Sequence, residues 1–470
     1  MNLWDRRPTL LRHTGFFTTV TVVGAALAGT ASAQDSTHWS ASWTTGQQGT
    51  YAAPDAPVAV IPAGMFQAAK YFPQPDVIRF ALPKGAASDQ TFRMIVRPDL
   101  WSDTIRVRFS NVFGKEPLVV GAAAVGLQDV AADVLPGSNT KVTFNGGQAG
   151  VTIAPGERLF SDPIKIGFAD ASKIGSLRGR NLAVSIAIKG QSSALSYHNT
   201  AAQTSYIGRP GSGDHTADEA GSAFPYTTTS LFIIDAVDAS APKETPVVLA
   251  FGDSITDGTF STTNGNDRWP DFLAAKLHRA LGDKVSVVNT AISGNAVVSQ
   301  AVGQPAVERL ERDGLQISGV TTVILMEGAN DLGSAKSKPE PVIEGYKQVV
   351  NRLHKAGLRV IGATLTPNER PDKDFSTSPL GTVYGPLYGS AQTNTYRKQL
   401  NDFIRTSKIF DGVVDFEAVT IDPATGSLKA EYVPDSNGGP GDYLHPNRGG
   451  YQIMGESIDP AMLVPAKAGQ

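Results

Sequence analysis

The chain has 470 residues, a formal net charge of −3 and 41% hydrophobic residues, which suits a packed globular protein of two domains. A charge this close to neutral gives no sign of a nucleic-acid partner or a polybasic membrane contact. The sequence contains no cysteine, which excludes a thiol nucleophile, disulfide bonds and thiolate metal sites.

The first 33 residues have the three-part layout of a secretory signal. Three Arg residues lie within the first twelve positions, no Lys, Arg, Asp or Glu follows until Asp35, and Ala31-Ser32-Ala33 is a small-residue cleavage site. An uncleaved membrane anchor is the alternative, because the uncharged stretch is long enough to span a bilayer. We expect cleavage after Ala33, a secreted or periplasmic location by either Sec or twin-arginine export, and no stable membrane insertion afterwards.

Residues 34–240 are predicted to form an all-β domain. Between residues 100 and 190, short segments such as TIRVRFSNVFG and NLAVSIAIKG alternate with the period of a strand and are separated by Gly, Pro, Asn and Asp. Many short strands at this spacing indicate an antiparallel sandwich or jelly roll. The stretch VDASAPKETP, residues 237–246, is interpreted as the linker to the next domain.

Residues 241–470 change to alternating strands and helices. The predicted strands are Val247–Phe251, Val285–Val288, Thr322–Met326, Arg359–Thr364 and Val413–Phe416. The clearest helix is EPVIEGYKQVVNRLHKAG, whose apolar stripe is ended by Gly357. This order predicts a parallel sheet, and such sheets bind ligands at the carboxyl ends of their strands.

The first of these strands runs into GDSITDG and places Ser254 just past its end. Backbone N–H groups at the start of a helix or turn stabilise negative charge on a nearby oxygen. The motif is not the Gly-x-Ser-x-Gly elbow, because Thr256 stands where the second Gly belongs, and Ile255 replaces the first Asp of an aspartyl-phosphate motif. Taken alone, Ser254 fits a capping role as well as a catalytic one.

Three further segments favour the catalytic interpretation. NTAISGN and MEGAND follow the second and third predicted strands, and GDYLHPN places Asp442 three residues before His445. A serine hydrolase needs a base and a carboxylate that orients the base, and His445 and Asp442 can supply both. The Gly294 amide and the Asn330 side chain can donate to an oxyanion. No metal-ligand spacing or phosphate-binding loop is present, so we expect neither metal nor cofactor.

These segments resemble the catalytic blocks of the SGNH hydrolases, also called the GDSL family. FGDSITDG resembles block one, ISGN block two, GAND block three and DYLH block five, in the family's order and within residues 247–464. The resemblance implies an α/β, flavodoxin-like domain with a five-stranded parallel sheet, and ester hydrolysis without a metal.

The resemblance also implies a role for each matched residue. Ser254 is the expected nucleophile, His445 its base and Asp442 the carboxylate that orients the base. The expected oxyanion hole consists of the backbone N–H groups of Ser254 and Gly294 and the side-chain amide of Asn330. Asp253 and Asp331 are expected to brace loops.

A narrower resemblance concerns HWSASW, RVRFSNVFG, SYHNTAAQTSY and RWPDFLA. They resemble the two-domain branch of the family with an N-terminal β-sandwich, which includes esterase-like proteins placed among xylan-degrading functions. The segment Asn368–Gln392 departs from that pattern and could reshape the substrate pocket. His198 is the substrate-contact candidate, on the hypothesis that the sandwich closes one side of the cleft over Ser254. Core or interdomain packing of His198 is the alternative.

We therefore expect an exported serine esterase that removes short acyl groups, such as acetyl, from carbohydrate or similar small alcohols. The alternatives are a lipase-type or arylesterase-type acylhydrolase and a non-catalytic glycan-binding protein. The expected partner is a small-molecule or polysaccharide ester, with no nucleic acid, and no oligomeric state is predicted.

Overall fold

The computed structural model describes residues 38–51, 78–169, 174–370 and 381–464. The predicted signal, residues 1–33, lies outside this part of the chain. Antiparallel strands fill the described residues up to Ala241, and a parallel sheet with helices follows from Val247.

The region up to Ala241, called here the antiparallel region, is built almost entirely of strands. In chain order they are β1 His38–Thr44, β2 Gly49–Thr50, β3 Ala86–Val96, β4 Thr104–Ser110, β5 Leu118–Leu127, β6 Thr140–Val142, β7 Val151–Ile153, β8 Arg158–Phe160, β9 Ile164–Lys165, β10 Leu182–Ala194, β11 Ser196–His198, β12 Ser205–Ile207, β13 Tyr226–Thr228, β14 Leu231–Phe232 and β15 Ile234–Ala241. One short helix, α1 Ile78–Ala81, precedes β3, and 3-10 turns lie at Pro83–Gly85, Ile174–Leu177 and Gly221–Ala223.

These strands form three antiparallel sheets. The strand orders are β1-β15-β4-β8 with β9 also on β4, β13-β12-β3-β10-β5-β6 with β7 also on β5, and β14-β11-β2. The first two sheets bury their facing side chains in one hydrophobic cluster, which includes Val107 and Phe109 of β4 and Val184 and Ile186 of β10. The strand-period alternation of TIRVRFS follows from this arrangement, because Ile105, Val107 and Phe109 all lie in that cluster.

The region from Val247, called here the parallel region, alternates strands and helices. Its strands are β16 Val247–Gly252, β17 Ser286–Asn289, β18 Val320–Met326, β19 Arg359–Ala363 and β20 Gly412–Val414. Its helices are α2 Ser254–Asp257, α3 Trp269–Leu281, α4 Ala306–Leu310, α5 Ala329–Leu332, α6 Pro339–Lys355, α7 Gly381–Tyr388, α8 Ala391–Thr406, α9 Phe416–Thr420, α10 Arg448–Ser457 and α11 Pro460–Leu463. A π-helical turn, Glu311–Leu315, follows α4, and a 3-10 turn lies at Ala430–Tyr432.

The five parallel strands pair in the order β17-β16-β18-β19-β20. This confirms the predicted five-stranded parallel sheet, and each strand lies within two residues of its predicted bounds. In α6, the side chains of Val342, Tyr346, Val349 and Leu353 are buried, as the apolar stripe predicts. The β16 strand is buried along its whole length because it lies inside the sheet, between β17 and β18.

The two regions share an interface through the first strand, and residues from His38 onward cluster as one unit. Ala41 of β1 lies in the hydrophobic cluster of the parallel region. Its backbone N–H donates to the Ser318 carbonyl at 2.9 Å, and its carbonyl accepts from the Ser286 hydroxyl at 2.7 Å. The linker predicted from residue 237 starts too early, because Val237 to Ala241 continue β15, where Asp238 pairs with Arg106.

Within the described ranges, no helix is both long and apolar enough to cross a membrane.

Candidate active site

Ser254 lies where the buried β16 strand gives way to α2. The side chain of Asp253 caps this helix by accepting from the Ile255 N–H at 3.1 Å. As the first residue of α2, Ser254 has a backbone N–H with no acceptor inside the helix. The side chain of Ser254 is therefore held at the carboxyl edge of the sheet, beside an N–H group that has no acceptor among the described residues, and 9% of the residue is exposed.

Ser254, His445 and Asp442 form a continuous hydrogen-bonded row. The Ser254 Oγ lies 2.8 Å from the His445 Nε2, and the His445 Nδ1 lies 2.6 Å from the Asp442 Oδ2. The other oxygen of Asp442 accepts the backbone N–H groups of Leu444 and His445, each at 2.9 Å. The structure thus brings together the three residues that the sequence predicts as nucleophile, base and orienting carboxylate.

The charge state of Asp442 fixes the direction of these bonds. Burial alone would raise the pKa of Asp442, but the neighbouring His445 and the two backbone N–H donors hold it below its ordinary value. An ionised carboxylate only accepts hydrogen bonds, so the His445 Nδ1 must carry a proton. In a neutral imidazole the Nε2 is then free to accept the Ser254 hydroxyl proton.

The other two predicted donors lie on loops that follow neighbouring strands. Gly294, in the loop after β17, has a φ of +83°, a conformation that glycine adopts without strain. A side chain there would also strike Val302, since a Cβ would lie 2.6 Å from that valine's Cγ2. Within the described residues, the Gly294 N–H makes no hydrogen bond, so it is available to a ligand.

Asn330, in α5 after β18, has one amide hydrogen and its carbonyl oxygen already engaged. Its Nδ2 donates to the Asn295 carbonyl at 2.7 Å, and its Oδ1 accepts from the Tyr388 hydroxyl at 2.8 Å. The second hydrogen on Nδ2 remains for a ligand. Tyr388 was not singled out in the sequence, although it lies in the segment Asn368–Gln392 that was expected to reshape the site. No local pattern marks it, because it meets Asn330 only through the packing of α7.

The two further carboxylates bind backbone, as expected. Asp331 accepts the N–H groups of Val297, Val298 and Ser299 at 2.7 to 3.1 Å, which anchors the loop that follows Gly294. Asp253 caps α2, and burial raises its pKa to about 6.

The buried guanidinium of Arg309 lies under the site, and the sequence analysis did not identify Arg309 as a residue of the site. Arg309 of α4 donates to the carbonyls of Gly252 and Thr290, at 2.9 and 2.7 Å, and to the Asn295 Oδ1 at 2.7 Å. It therefore ties together the ends of β16 and β17 and the residue that anchors Asn330. Its neighbour Glu327 lies 3.5 Å away and is fully buried, and burial raises the pKa of Glu327 to about 8.

His198 is buried, and both of its ring nitrogens have partners within the protein. Its side chain is 2% exposed, and its two ring nitrogens lie 2.7 Å from the Gly46 carbonyl oxygen and 3.1 Å from the Asp257 Oδ1. The cavity that it lines has a volume of about 20 Å³, room for one water, and Ser254 is not among its lining residues. The substrate-contact prediction for His198 is therefore corrected: both of its polar atoms are used at the interface between the two regions.

Apolar and aromatic side chains border the catalytic row. The Phe260 ring lies edge-on to the His445 ring with centroids 5.5 Å apart, and Val302, beside Gly294, is 41% exposed. Arg370 donates to the Asp442 carbonyl at 3.1 Å and lies over the Tyr443 ring.

No group of three or more His, Cys, Asp or Glu side chains in the described part of the chain is arranged to hold a metal ion.

Residues 250–453 match the model of the GDSL-like lipase/acylhydrolase family. This range contains all five residues of the predicted triad and oxyanion hole. A comparison with curated proteins gives no match.

Solved structures similar to this chain include three esterase or lipase structures. A GDSL-like lipase from Bacteroides thetaiotaomicron is 17% identical with a TM-score of 0.35, and the match covers 48% of this chain and 91% of that one. A carbohydrate acetylesterase family member from Sinorhizobium meliloti is 16% identical with a TM-score of 0.34, and the match covers 47% of this chain and 100% of that one. The aryl esterase of M. smegmatis is 15% identical with a TM-score of 0.35, and the match covers 45% of this chain and 94% of that one.

Proposed function

We propose that the protein is an exported serine esterase acting through Ser254, His445 and Asp442, and the match of residues 250–453 to the model of the GDSL-like lipase/acylhydrolase family supports this proposal. The observation that carries the proposal is the unbroken row of short contacts from the Ser254 Oγ to the Asp442 carboxylate. A nucleophile, a base and an orienting carboxylate in this geometry suit acyl transfer.

In the proposed reaction, the Ser254 Oγ attacks the ester carbonyl while the His445 Nε2 takes its proton. His445 then returns that proton to the leaving alcohol, which leaves an acyl group on Ser254. Water, deprotonated by His445, attacks the acyl-enzyme, and the carboxylic acid departs as Ser254 regains its proton. Asp442 stabilises the imidazolium at each stage and is not itself protonated.

The oxyanion of both tetrahedral intermediates is proposed to bind three N–H donors. These are the backbone N–H groups of Ser254 and Gly294 and the unused amide hydrogen of Asn330. Fixed donors of this kind stabilise the transition state more than the ground state, because they point at charge that develops only during the reaction.

We propose short acyl groups, acetyl above all, on a carbohydrate or similar small alcohol as the substrate. The small exposed fraction of Ser254 and the Phe260 ring packed against His445 support a small acyl group. The narrower sequence resemblance to esterases placed among xylan-degrading functions supports a carbohydrate alcohol. The signal-like residues 1–33 support export.

The test measures hydrolysis of aryl esters of increasing acyl length, and acetate release from acetylated polysaccharides, by the wild type, Ser254→Ala and Ser457→Ala. Ser457 is an exposed serine of α10 and serves as the matched control. We expect the fastest turnover on acetyl esters, loss of nearly all activity in Ser254→Ala and wild-type activity in Ser457→Ala. Normal turnover by folded Ser254→Ala would remove this serine from the mechanism, and a preference for long chains would favour a lipase.

A further inference from the structure

Both ring nitrogens of His198 face oxygen atoms at hydrogen-bond distance. Its Nδ1 faces the Gly46 carbonyl oxygen at 2.7 Å, and its Nε2 faces the Asp257 Oδ1 at 3.1 Å. A carbonyl and an ionised carboxylate both lack a hydrogen, so each ring nitrogen must be the donor. Donation from both nitrogens requires the imidazolium form of His198, with Asp257 as its buried counter-ion. Burial lowers the pKa of His198, but Asp257 and the backbone acceptors outweigh this and raise it above the ordinary value.

The opposite oxygen of Asp257 reaches the loop that carries Gly294. The Asp257 Oδ2 accepts the Ser293 backbone N–H at 2.9 Å and the Ser293 hydroxyl at 2.6 Å. Ser293 directly precedes Gly294, whose N–H is the proposed oxyanion donor. An unbroken chain of hydrogen bonds thus runs from β11 of the antiparallel region to the residue before that donor.

The second partner of His198 packs against the same loop. A Cβ on Gly46 would lie 2.5 Å from the Thr290 carbonyl oxygen and 2.8 Å from the Ile292 Cγ1, so only glycine allows the backbones to approach this closely. Two residues earlier, the Thr44 hydroxyl donates to the Asn289 carbonyl at 3.0 Å. His198 therefore holds the Gly294 loop through Asp257 and also fixes the strand end that packs against it.

We propose that His198 is a positioning residue, which holds Asp257 and through it sets the direction of the Gly294 N–H in the oxyanion hole. This role rests on the proposed esterase function and gives the antiparallel region a part in the reaction without any contact with substrate. Removing one member of a buried ion pair leaves the other without compensation, so Asp257 would shift toward water and release Ser293. Small displacements of catalytic donors cost large factors in rate, because the donors act over hydrogen-bond distances.

The chain contains a matched control for this pair. The His278 Nε2 lies 2.9 Å from the Asp99 Oδ1, and its Nδ1 lies 3.0 Å from the Gly282 carbonyl oxygen. This second buried histidine also joins the two regions, but the other oxygen of Asp99 binds the Val287 N–H within β17. His278 therefore has the same chemistry without a link to Ser293.

The experiment compares His198→Gln with His278→Gln at a temperature well below both melting points. Glutamine keeps one donor and removes the charge. We expect kcat on an aryl acetate to fall about 10- to 100-fold in His198→Gln. This loss is no larger than the loss caused by deleting an oxyanion donor, because the donor is displaced and not removed. We expect KM to stay within about twofold, because ground-state binding does not use the oxyanion donors. His278→Gln should keep the wild-type kcat while losing a similar amount of thermal stability.

A second measurement does not depend on esterase activity. Hydrogen–deuterium exchange of the peptide covering residues 289–298 should be faster in His198→Gln than in the wild type and unchanged in His278→Gln. Ser293→Ala, a mild variant that removes only one of the two bonds to Asp257, should give a smaller loss of kcat in the same direction.

Equal kcat losses in the two histidine variants, or unchanged exchange of residues 289–298 in His198→Gln, would overturn the positioning role. An inactive wild type would instead overturn the proposed function, and the exchange result would still decide whether His198 holds the loop.

Discussion

The hydroxyl of Tyr388 donates to the Asn330 Oδ1 at 2.8 Å, and this bond fixes the orientation of the Asn330 amide. With Oδ1 held by Tyr388 and one Nδ2 hydrogen held by the Asn295 carbonyl, the second Nδ2 hydrogen is left for a ligand. A rotated amide would present an oxygen to the oxyanion and repel it.

Tyr388→Phe should therefore lower kcat and leave KM nearly unchanged. The expected loss is about 2- to 10-fold, the size of one ordinary hydrogen bond. Steady-state kinetics on a short aryl ester measures it. Tyr396→Phe on the following helix is the control, since its hydroxyl makes no hydrogen bond within the described residues. Equal kinetics in the two variants would show that Tyr388 does not orient Asn330.

Asn330→Ala should lower kcat about 10²- to 10³-fold, as expected for a lost side-chain donor in an oxyanion hole. The double variant Tyr388→Phe/Asn330→Ala should be no slower than Asn330→Ala, because the hydroxyl acts only through the amide. A further loss in the double variant would give Tyr388 a separate role.

Glu327→Gln should change how stability depends on pH. Burial raises the pKa of Glu327 to about 8, above its value of 4.5 in an unfolded chain. The folded protein therefore keeps a proton that the unfolded chain releases, and the free energy of unfolding falls as pH rises between these values. Glutamine cannot ionise, so the variant should lose this part of the slope. Denaturant unfolding from pH 4 to pH 9 measures this slope. The prediction is contradicted if the free energy of unfolding changes with pH in the same way for the wild type and for Glu327→Gln.

His198 should contribute to stability below neutral pH and lose that contribution as pH rises. Its pKa is raised above 6.5, so its stabilising charge is fully present below 6.5 and disappears as pH rises through the folded-state pKa. Asp257 faces it directly, and Arg97 and Arg268 are charged residues that line the same small cavity. The wild type minus His198→Gln difference in unfolding free energy should shrink with rising pH. A difference that stays constant from pH 5 to pH 10 would show that His198 is not a buried cation.

The parallel region was predictable because its signals are local. Each strand of the sheet is a short apolar run bounded by turns, and the residues that follow β16, β17 and β18 are the polar groups the active site needs. Asp442 and His445 are three residues apart, so their pairing could be inferred from one loop. Their contact with Ser254, which is 191 residues away from His445 along the chain, was inferred from the set of four polar segments and from the family resemblance.

The missed residues act through contacts between distant segments. Tyr388 meets Asn330 across 58 residues. His198 was singled out in the sequence, but its contact with Asp257 was not, because the two lie in different regions. Neither residue has neighbours in the sequence that indicate its partner. Arg309 and Glu327 were missed for another reason: charged residues are usually exposed, and their burial follows only from the sheet that covers them.

The backbone bonds of Ala41 to both Ser318 and Ser286 have a consequence for how the protein can be engineered. A fragment starting at residue 241 would expose apolar surface that β1 normally covers, and would leave the Ser286 hydroxyl and the Ser318 carbonyl without partners. Such a fragment should therefore be less stable than the same residues in the full chain. Fusions, truncations and grafts onto related hydrolases should keep the N-terminal strand with the catalytic half, or rebuild its hydrogen bonds by design.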